Sequence, residues 1–308
     1  MAFLGLDTSN YTTSAALWYP DENRVVQQKK LLPVKQGEKG LRQSDAVFHH
    51  TQQLPQVIEA LFEGNTSGID GIGVSLTPTT AKGSYMPCFS VGASTARVLG
   101  TVFSKKVSFF SHQQGHIAAA LYSANRLDLL SQKFIAFHVS GGTTEAVLVE
   151  PDKNELFTCT PVAKSLDLKA GQAIDRVGVM LGLSFPCGAE LDKLSRNAEP
   201  VKTKIKPSMK GTDCSLSGVE NKCKMMFDKG ESPENIALFC IEFIASALEG
   251  MITELSAQHP NLQLVFSGGV MSNSIISQRF AEKYGALFAT PAFSADNAAG
   301  IAVLASMR

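Results

Sequence analysis

FLGLDTSNYTTSAAL at residues 3–17 and FIAFHVSGGTTEAVL at residues 134–148 are two versions of one pattern. They align without a gap: Phe3 with Phe134, Ser9 with Ser140, Thr12-Thr13 with Thr143-Thr144, and Ala15 and Leu17 with Ala146 and Leu148. Each is an apolar strand, a tight turn of small polar residues and a second apolar strand, which is hairpin chemistry. Two such hairpins in one chain predict a duplicated domain with a cleft between the copies. Two unrelated hairpins sharing a common pattern are the competing reading.

The segments after each hairpin support duplication. The first hairpin is succeeded by a strand near 25–32, a helical pattern at 45–62, an apolar strand at 71–76 and a helix near 88–103. The second is succeeded by a strand near 156–162, a helix around 170–181, a long helix at 233–258 and a buried strand at 262–267. A helix near 273–284 and a last helix at 296–306 close the chain. Strands alternating with helices predict α/β layers. The expected division is an N-terminal lobe over 1–125, ending in a candidate metal-ligand helix, and a C-terminal lobe over 126–308. The stretch 184–232, with its Pro, Gly, Lys and Ser, reads as an insertion on the second lobe.

Composition sets the class. The 308 residues suit about two domains, and 44% hydrophobic with 18% charged residues is ordinary for a packed globular chain. The formal net charge is zero, so no overall basic excess points to nucleic acid, and an RNA contact falls to local runs. Two such runs are Lys29, Lys30, Lys35, Lys39 and Arg42, and Lys202, Lys204, Lys206 and Lys210. The six cysteines form no CxxC pair and read as small buried thiols in a reducing compartment. No signal-peptide pattern opens the chain and no apolar run reads as a membrane span, so the expectation is a cytoplasmic protein without a membrane partner.

Five motifs carry candidate chemistry. His112 and His116 are four apart at the end of an apolar strand, 107–110, so both rings fall on one helix face and can grip one ion. A third ligand must come from elsewhere, and a pair of surface or capping histidines is the alternative. Asp296 opens the last helix, where Asp is a good N-cap and where its carboxylate can also complete that site. Ser140-Gly141-Gly142-Thr143 lets backbone approach an anion closely, and Ser9-Asn10-Tyr11-Thr12 is the equivalent turn. Ser267-Gly268-Gly269, running to Asn273, joins a strand to a helix N-terminus, which suits adenosine or its phosphate; the lysine of a Walker motif is absent. Asp175 can accept from ribose hydroxyls, and Gly188 permits close approach of a sugar or base. A solvated helix, plain hairpins and ordinary strand-helix punctuation remain open for each taken alone.

Taken in order, LGLDTS at 4–9, HxxxH at 112–116, VSGGTT at 139–144, AGQAIDRVGVMLGL at 170–183, SLSG at 215–218, SGGVMSN at 267–273 and ADNAAGIA at 295–302 resemble the tRNA threonylcarbamoyladenosine-modification transferases, formerly called glycoproteases or O-sialoglycoprotein endopeptidases. The resemblance covers nearly the whole chain. It implies a two-lobed, duplicated actin-like ATPase fold (ASKHA, ribonuclease H-like) with the nucleotide in the cleft between lobes. It also implies transfer of a threonylcarbamoyl group from its adenylate to N6 of a tRNA adenosine, with release of AMP. His112, His116 and Asp296 match the family's metal ligands, with iron or zinc as the ion. Ser140, Gly141 and Gly142 match its phosphate and acyl-adenylate pocket, Asp175 and Gly188 its nucleotide-sugar contacts, and Asn273 a further nucleotide contact. Ser9, Thr12, Thr143, Gly268 and Gly269 complete the expected nucleotide or substrate set, and no residue is assigned to proton transfer.

The chain departs from that family pattern at Asn10-Tyr11-Thr12-Thr13, where Cys-Asp-Glu-Thr is usual, at Thr143, where a histidine is usual, and in 77–92, which lacks a Gly-Pro-Gly run. These departures motivate an alternative: a non-catalytic nucleotide-binding subunit paired with a full-motif relative, or a paralogue with another acceptor. An adenine nucleotide, a tRNA and a protein partner or second copy are the expected partners. The older protease reading fits poorly, because HxxxH without the glutamate of HExxH lacks a general base.

Overall fold

The computed structural model describes residues 1–9, 11–33, 41–64, 68–201, 205–294 and 298–308. In chain order the elements are β1 (Phe3–Ser9), β2 (Thr12–Tyr19), β3 (Arg24–Leu31), α1 (Gln43–Phe62), β4 (Gly71–Thr77), α2 (Phe89–Val102), β5 (Val107–Ser111) and α3 (His112–Ser123). The second half continues with β6 (Phe134–Val139), β7 (Thr144–Asp152), β8 (Leu156–Lys164), α4 (Ala170–Met180), α5 (Gly188–Ser195), β9 (Ser208–Lys210), β10 (Asp213–Ser215), α6 (Gly218–Asp228) and α7 (Pro233–Gln258). Then come β11 (Gln263–Ser267), α8 (Ser274–Tyr284), β12 (Leu287–Phe288), α9 (Pro291–Ser294) and α10 (Ala298–Ala305).

Duplication is written into the strand order. One sheet runs β3-β2-β1-β4-β5 and the other β8-β7-β6-β11-β12, so each places its third, second, first, fourth and fifth strands in that order. In both, the first two strands pair antiparallel and the first and fourth pair parallel. The registers also coincide: Phe3 faces Trp18 and Thr8 faces Thr13, while Phe134 faces Val149 and Val139 faces Thr144. Chance likeness of two hairpins does not produce two sheets of one order and register.

The chain forms two compact units. The first contains 1–130, 152–159 and 292–308; the second contains 131–151 and 160–291. The first unit thus takes in 152–159 and 292–308, which the sequence reading places in the C-terminal lobe over 126–308. All residues of α10 are buried, and Ala298, Ala299, Ala302 and Val303 pack with Ala16 and Trp18 of the first sheet. A helix apolar all round needs cover on every side, and here β1, β2 and β4 cover one side and α3 another.

On the first unit's other core, Leu4, Leu6, Leu17, Leu54, Val57, Leu61, Ile72 and Val74 interdigitate. In the second unit Phe266 stacks between Phe137 and Phe288, at centroid distances of 4.6 and 5.3 Å. Full burial contributes about 2–3 kcal/mol for each of the Phe137 and Phe266 rings. The stretch 184–232 is built into this core rather than laid over it, because Leu191, Cys214, Leu216, Val219 and Cys223 are all buried there. Helix α7 is long and apolar enough to cross a membrane by length and composition, and its Ile241, Ile244, Leu248 and Ile252 are buried in the same core. All six cysteines are buried thiols; burial pushes the Cys88 and Cys214 thiols up to about 11.

Candidate functional site

The candidate residues gather in two groups, one in each unit. In the first, α3 starts where β5 ends, as the sequence predicts, because Ser111 and Gln114 form a capping box. The Ser111 hydroxyl accepts the Gln114 amide at 3.1 Å, and the Gln114 Oε1 accepts the Ser111 amide at 2.8 Å. Gln114 also donates through Nε2 to the carbonyls of Glu155 and Phe157, at 3.1 and 3.0 Å. The first turn of the helix that carries both histidines is therefore anchored by one buried glutamine. The His112 and His116 rings lie 4.7 Å apart between centroids and share one face.

Asp7 reaches the same place from β1. Its carboxylate is 1% exposed and takes hydrogen bonds from His112 Nδ1 (2.7 Å), the Ser75 hydroxyl (2.9 Å) and the Ser9 amide (2.7 Å). Burial alone raises the carboxyl's pKa. The His112 ring, the Ser75 hydroxyl and the Ser9 amide outweigh it and hold the group below the ordinary Asp value. An ionised Asp7 requires the proton on Nδ1, so the neutral ring carries its lone pair on Nε2, the tautomer that a metal ion takes. Asp7 falls within LGLDTS at 4–9 but is not among the candidate site residues that the sequence points to. Its signal in the sequence is a lone carboxylate inside a strand otherwise reading as buried, where an ionisable group needs partners.

Ser9 and Thr12 close the first turn and face one another across it; Asn10 lies outside the described residues. Asp296 also lies outside them, in 295–297, as do Lys35, Lys39, Lys202 and Lys204 of the basic runs. Among the described residues no group of three His, Cys, Asp or Glu side chains is placed to hold a metal. The described part of the site is a histidine pair with an oriented ring, which fits a metal ion in donor type, spacing and tautomer.

In the second unit the turn is held from behind. Ser140 donates its amide to the Thr143 carbonyl (2.7 Å), and its hydroxyl accepts the Thr143 amide (3.1 Å). The Ser140 carbonyl accepts the Gly171 amide at 3.1 Å, and the Thr144 hydroxyl accepts the Ala170 amide at 2.9 Å. These bonds dock the N-terminus of α4 on the turn. A Cβ at Gly171 would lie 2.6 Å from the Gly141 nitrogen, so only glycine allows this approach. Gly268 is equally constrained: its φ is +97° and a Cβ would lie 2.3 Å from the Val139 carbonyl oxygen.

These contacts border a cavity of about 480 Å³. Five sequence candidates line it, Gly141, Asp175, Gly188, Gly269 and Asn273, together with Asp192 and Arg196. At Gly141, Gly142, Gly188 and Gly269 a Cβ would meet nothing within 4 Å, so packing does not demand glycine there. Their missing side chains leave room for a group approaching the backbone.

Asp175, Asn273, Asp192 and Arg196, which line it, are already engaged. One Asp175 oxygen accepts the Cys187 amide at 2.9 Å and holds the 186–188 turn. Asn273 caps α8 through the Ile276 amide (3.1 Å) and donates to Asp192 at 2.7 Å. Asp192, 7% exposed, also takes the Ser274 amide and hydroxyl and pairs with Arg196. Asp192 and Arg196 are not legible as site residues in the sequence, because i, i+4 acid–base pairs are common on solvated helices.

Known proteins share both the sequence pattern and the fold. The family model described as TsaD, tRNA N6-adenosine threonylcarbamoyltransferase, matches residues 23–303. A curated relative of that name from Thermosipho africanus is 30% identical over 324 aligned positions, covering 98% of this chain and 93% of the relative. One from Methanopyrus kandleri is 24% identical, covering 92% and 80%. Among solved structures, HypF of T. kodakarensis aligns with a TM-score of 0.60 at 13% identity, covering 99% of this chain and 47% of that one. Component A of Acidaminococcus fermentans (R)-2-hydroxyglutaryl-CoA dehydratase aligns with 0.55 at 14% identity, covering 100% and 98%. At such identities these structures speak to the fold alone, and the fold is of the actin-like ATPase, or ASKHA, type.

Proposed function

The chain belongs to the tRNA N6-adenosine threonylcarbamoyltransferase family, and on that premise we propose that it moves a threonylcarbamoyl group from its adenylate to N6 of a tRNA adenosine at a metal held by His112, His116 and Asp296. The observation that carries the metal part of this reading is the Asp7–His112 hydrogen bond of 2.7 Å. It selects the ring tautomer that a ligand needs, and a buried carboxylate aimed at an imidazole is the usual outer partner of a metal-bound histidine. Iron and zinc both suit two imidazoles and a carboxylate.

The transfer is an acyl substitution. N6 attacks the carbamoyl carbon, the bond from that carbon to the phosphate oxygen breaks, AMP leaves with the electron pair, and N6 gives up one proton. A bound divalent ion supplies Lewis acidity and a template at the acyl phosphate. The chain's own residues do the rest of the holding. The backbone at Gly141 and Gly269 approaches the nucleotide's phosphate, Gly188 admits the sugar, and Asp175 accepts from a ribose hydroxyl while its other hydrogen bond keeps the 186–188 turn in place. Tyr11 and Thr12 stand where the family pattern that the chain resembles has acids, and the buried carboxylate of Asp7 is the nearest anionic group to that turn in sequence. The working compartment is read as the cytoplasm, where tRNA is modified, and a protein partner or second copy belongs to the same proposal.

The test is direct. Purified protein, threonylcarbamoyl-adenylate and tRNA are combined, and modified adenosine in the digested tRNA is quantified by mass spectrometry beside elemental analysis of the protein. Near-stoichiometric iron or zinc and time-dependent product in the parent, both lost in His112→Ala/His116→Ala, are expected. Product formation that persists in the metal-free double variant would overturn the metal-centred reading.

A further inference from the structure

Between the first hairpin and α1 lies a buried string of polar side chains that takes no part in the proposed transfer. Thr13 and His50 are 0% exposed and Gln53 is 8% exposed. Gln53 donates through Nε2 to the Leu31 carbonyl at 3.2 Å, and its Oε1 accepts the Thr13 hydroxyl at 3.0 Å. The Thr13 oxygen is also 2.7 Å from His50 Nδ1, and His50 Nε2 is 2.7 Å from the Ser9 carbonyl. A carbonyl only accepts, so Nε2 carries the proton of that contact. The ring is thus held at Nε2 by the carbonyl at the end of β1, and its Nδ1 lies against the Thr13 oxygen of β2.

The string continues past Ser9. The Ser9 amide donates to one Asp7 oxygen at 2.7 Å, and the other Asp7 oxygen accepts His112 Nδ1 at 2.7 Å. His50 therefore reaches His112 through a single residue and a carboxylate. The buried face of α1 that carries His50 also carries Ala46, Gln53, Leu54, Val57 and Leu61. An apolar side chain would serve that packing without the desolvation that an imidazole carries. Burial draws the His50 ring's pKa down, and the Ser9 carbonyl and the Asp7 carboxylate oppose it.

We propose that His50 is a positioning residue for His112: by holding the Ser9 carbonyl it fixes the turn residue whose amide aims Asp7, and Asp7 aims the His112 ring. The inference rests on the reading of His112 as a ligand, but its test does not need the metal. The full chain is labelled with ¹⁵N-histidine, freed of metal, and the ring nitrogens of His112 are observed by NMR, with the signal assigned from His112→Ala. Two substitutions separate the ends of the ring. His50→Gln keeps an N–H near the Nε2 position and the contact to Ser9. His50→Asn keeps a polar group near Nδ1 and cannot reach Ser9.

In His50→Asn the His112 nitrogen shifts are expected to move toward a mixture of tautomers, and the Zn²⁺ dissociation constant to rise about 10-fold. In His50→Gln the ring shifts stay at the parent's values and the constant stays within about twofold. Thr13→Val, which leaves the Ser9 link intact, should also keep the parent's His112 signals. Unchanged His112 shifts in folded His50→Asn would overturn the proposal. If His50→Asn does not fold, His50→Phe, which fills the space without a donor, takes its place with the same two outcomes. A parent that binds no Zn²⁺ would overturn the metal reading alone, because the nitrogen signals are recorded without metal.

Discussion

Where the first hairpin carries Asp7, the second carries His138, and in each unit the adjacent parallel strand offers a serine hydroxyl. Ser75 lies 2.9 Å from Asp7, and Ser267 lies 3.1 Å from His138. The backbone register and the serine are shared, and the charge is not. In the first unit an anion sits behind the turn and faces an imidazole from α3. In the second, an imidazole holds that position, the turn is built of glycines, and α4 presents its N-terminus to it. An anion behind histidines favours a cation, whereas open backbone beside a helix start favours a phosphate. Duplication kept the hydrogen-bond geometry, and side-chain divergence changed the group behind the turn from a carboxylate to an imidazole.

The comparison can be broken most severely at the glycines. Gly268→Ala combines a positive φ with a 2.3 Å approach to Val139, so a loss of about 3 kcal/mol or more is expected in urea denaturation. Gly269→Ala meets nothing within 4 Å and should change stability by less than about 0.5 kcal/mol while weakening adenine-nucleotide binding. Equal stability losses at the two positions would mean that the second turn is shaped by something other than this approach.

A smaller effect sharpens the contrast in charge. Asp7→Asn should weaken Zn²⁺ or Fe²⁺ binding about 10–100-fold in a chelator competition, because the partner that orients His112 loses its charge. His138→Asn, at the equivalent position, should leave metal affinity unchanged. Similar losses from both would contradict the division of labour between the hairpins.

The smallest expected effect concerns a carboxylate outside both groups of candidate residues. Asp167, after β8, accepts from the amides of Leu168, Leu216 and Ser217 and from the Ser217 hydroxyl. Burial pushes its carboxyl up, but these donors outweigh it and hold the pKa below the ordinary Asp value. A carboxyl depressed in the folded state stabilises fully above its unfolded pKa of about 3.9, and that contribution fades as pH falls through the folded value. Asp167→Asn should therefore be less stable at pH 7 by under about 1 kcal/mol, given the group's exposure. The difference from the parent should close below about pH 4 in thermal melts. A gap that widened in acid would refute this.

The strands, their order of appearance and the duplication were legible from residues 3–17 and 134–148, because alternation and turn chemistry are local properties of a chain. The HxxxH pair was legible for the same reason, since four residues make one helical turn. The histidine ring's orientation was not. Asp7 and His112 are 105 positions apart and meet only because β1 and β5 flank β4 in one sheet. Thr13, His50 and Gln53 look like breaks in an apolar pattern until β2 and α1 are packed together. The unit to which α10 belongs was equally beyond local reading, because an all-apolar helix declares that it needs cover and not which sheet gives it. Periodicity and turn residues, acting over a few positions, determined the elements and the repeat; long-range packing alone decided which buried polar groups would meet.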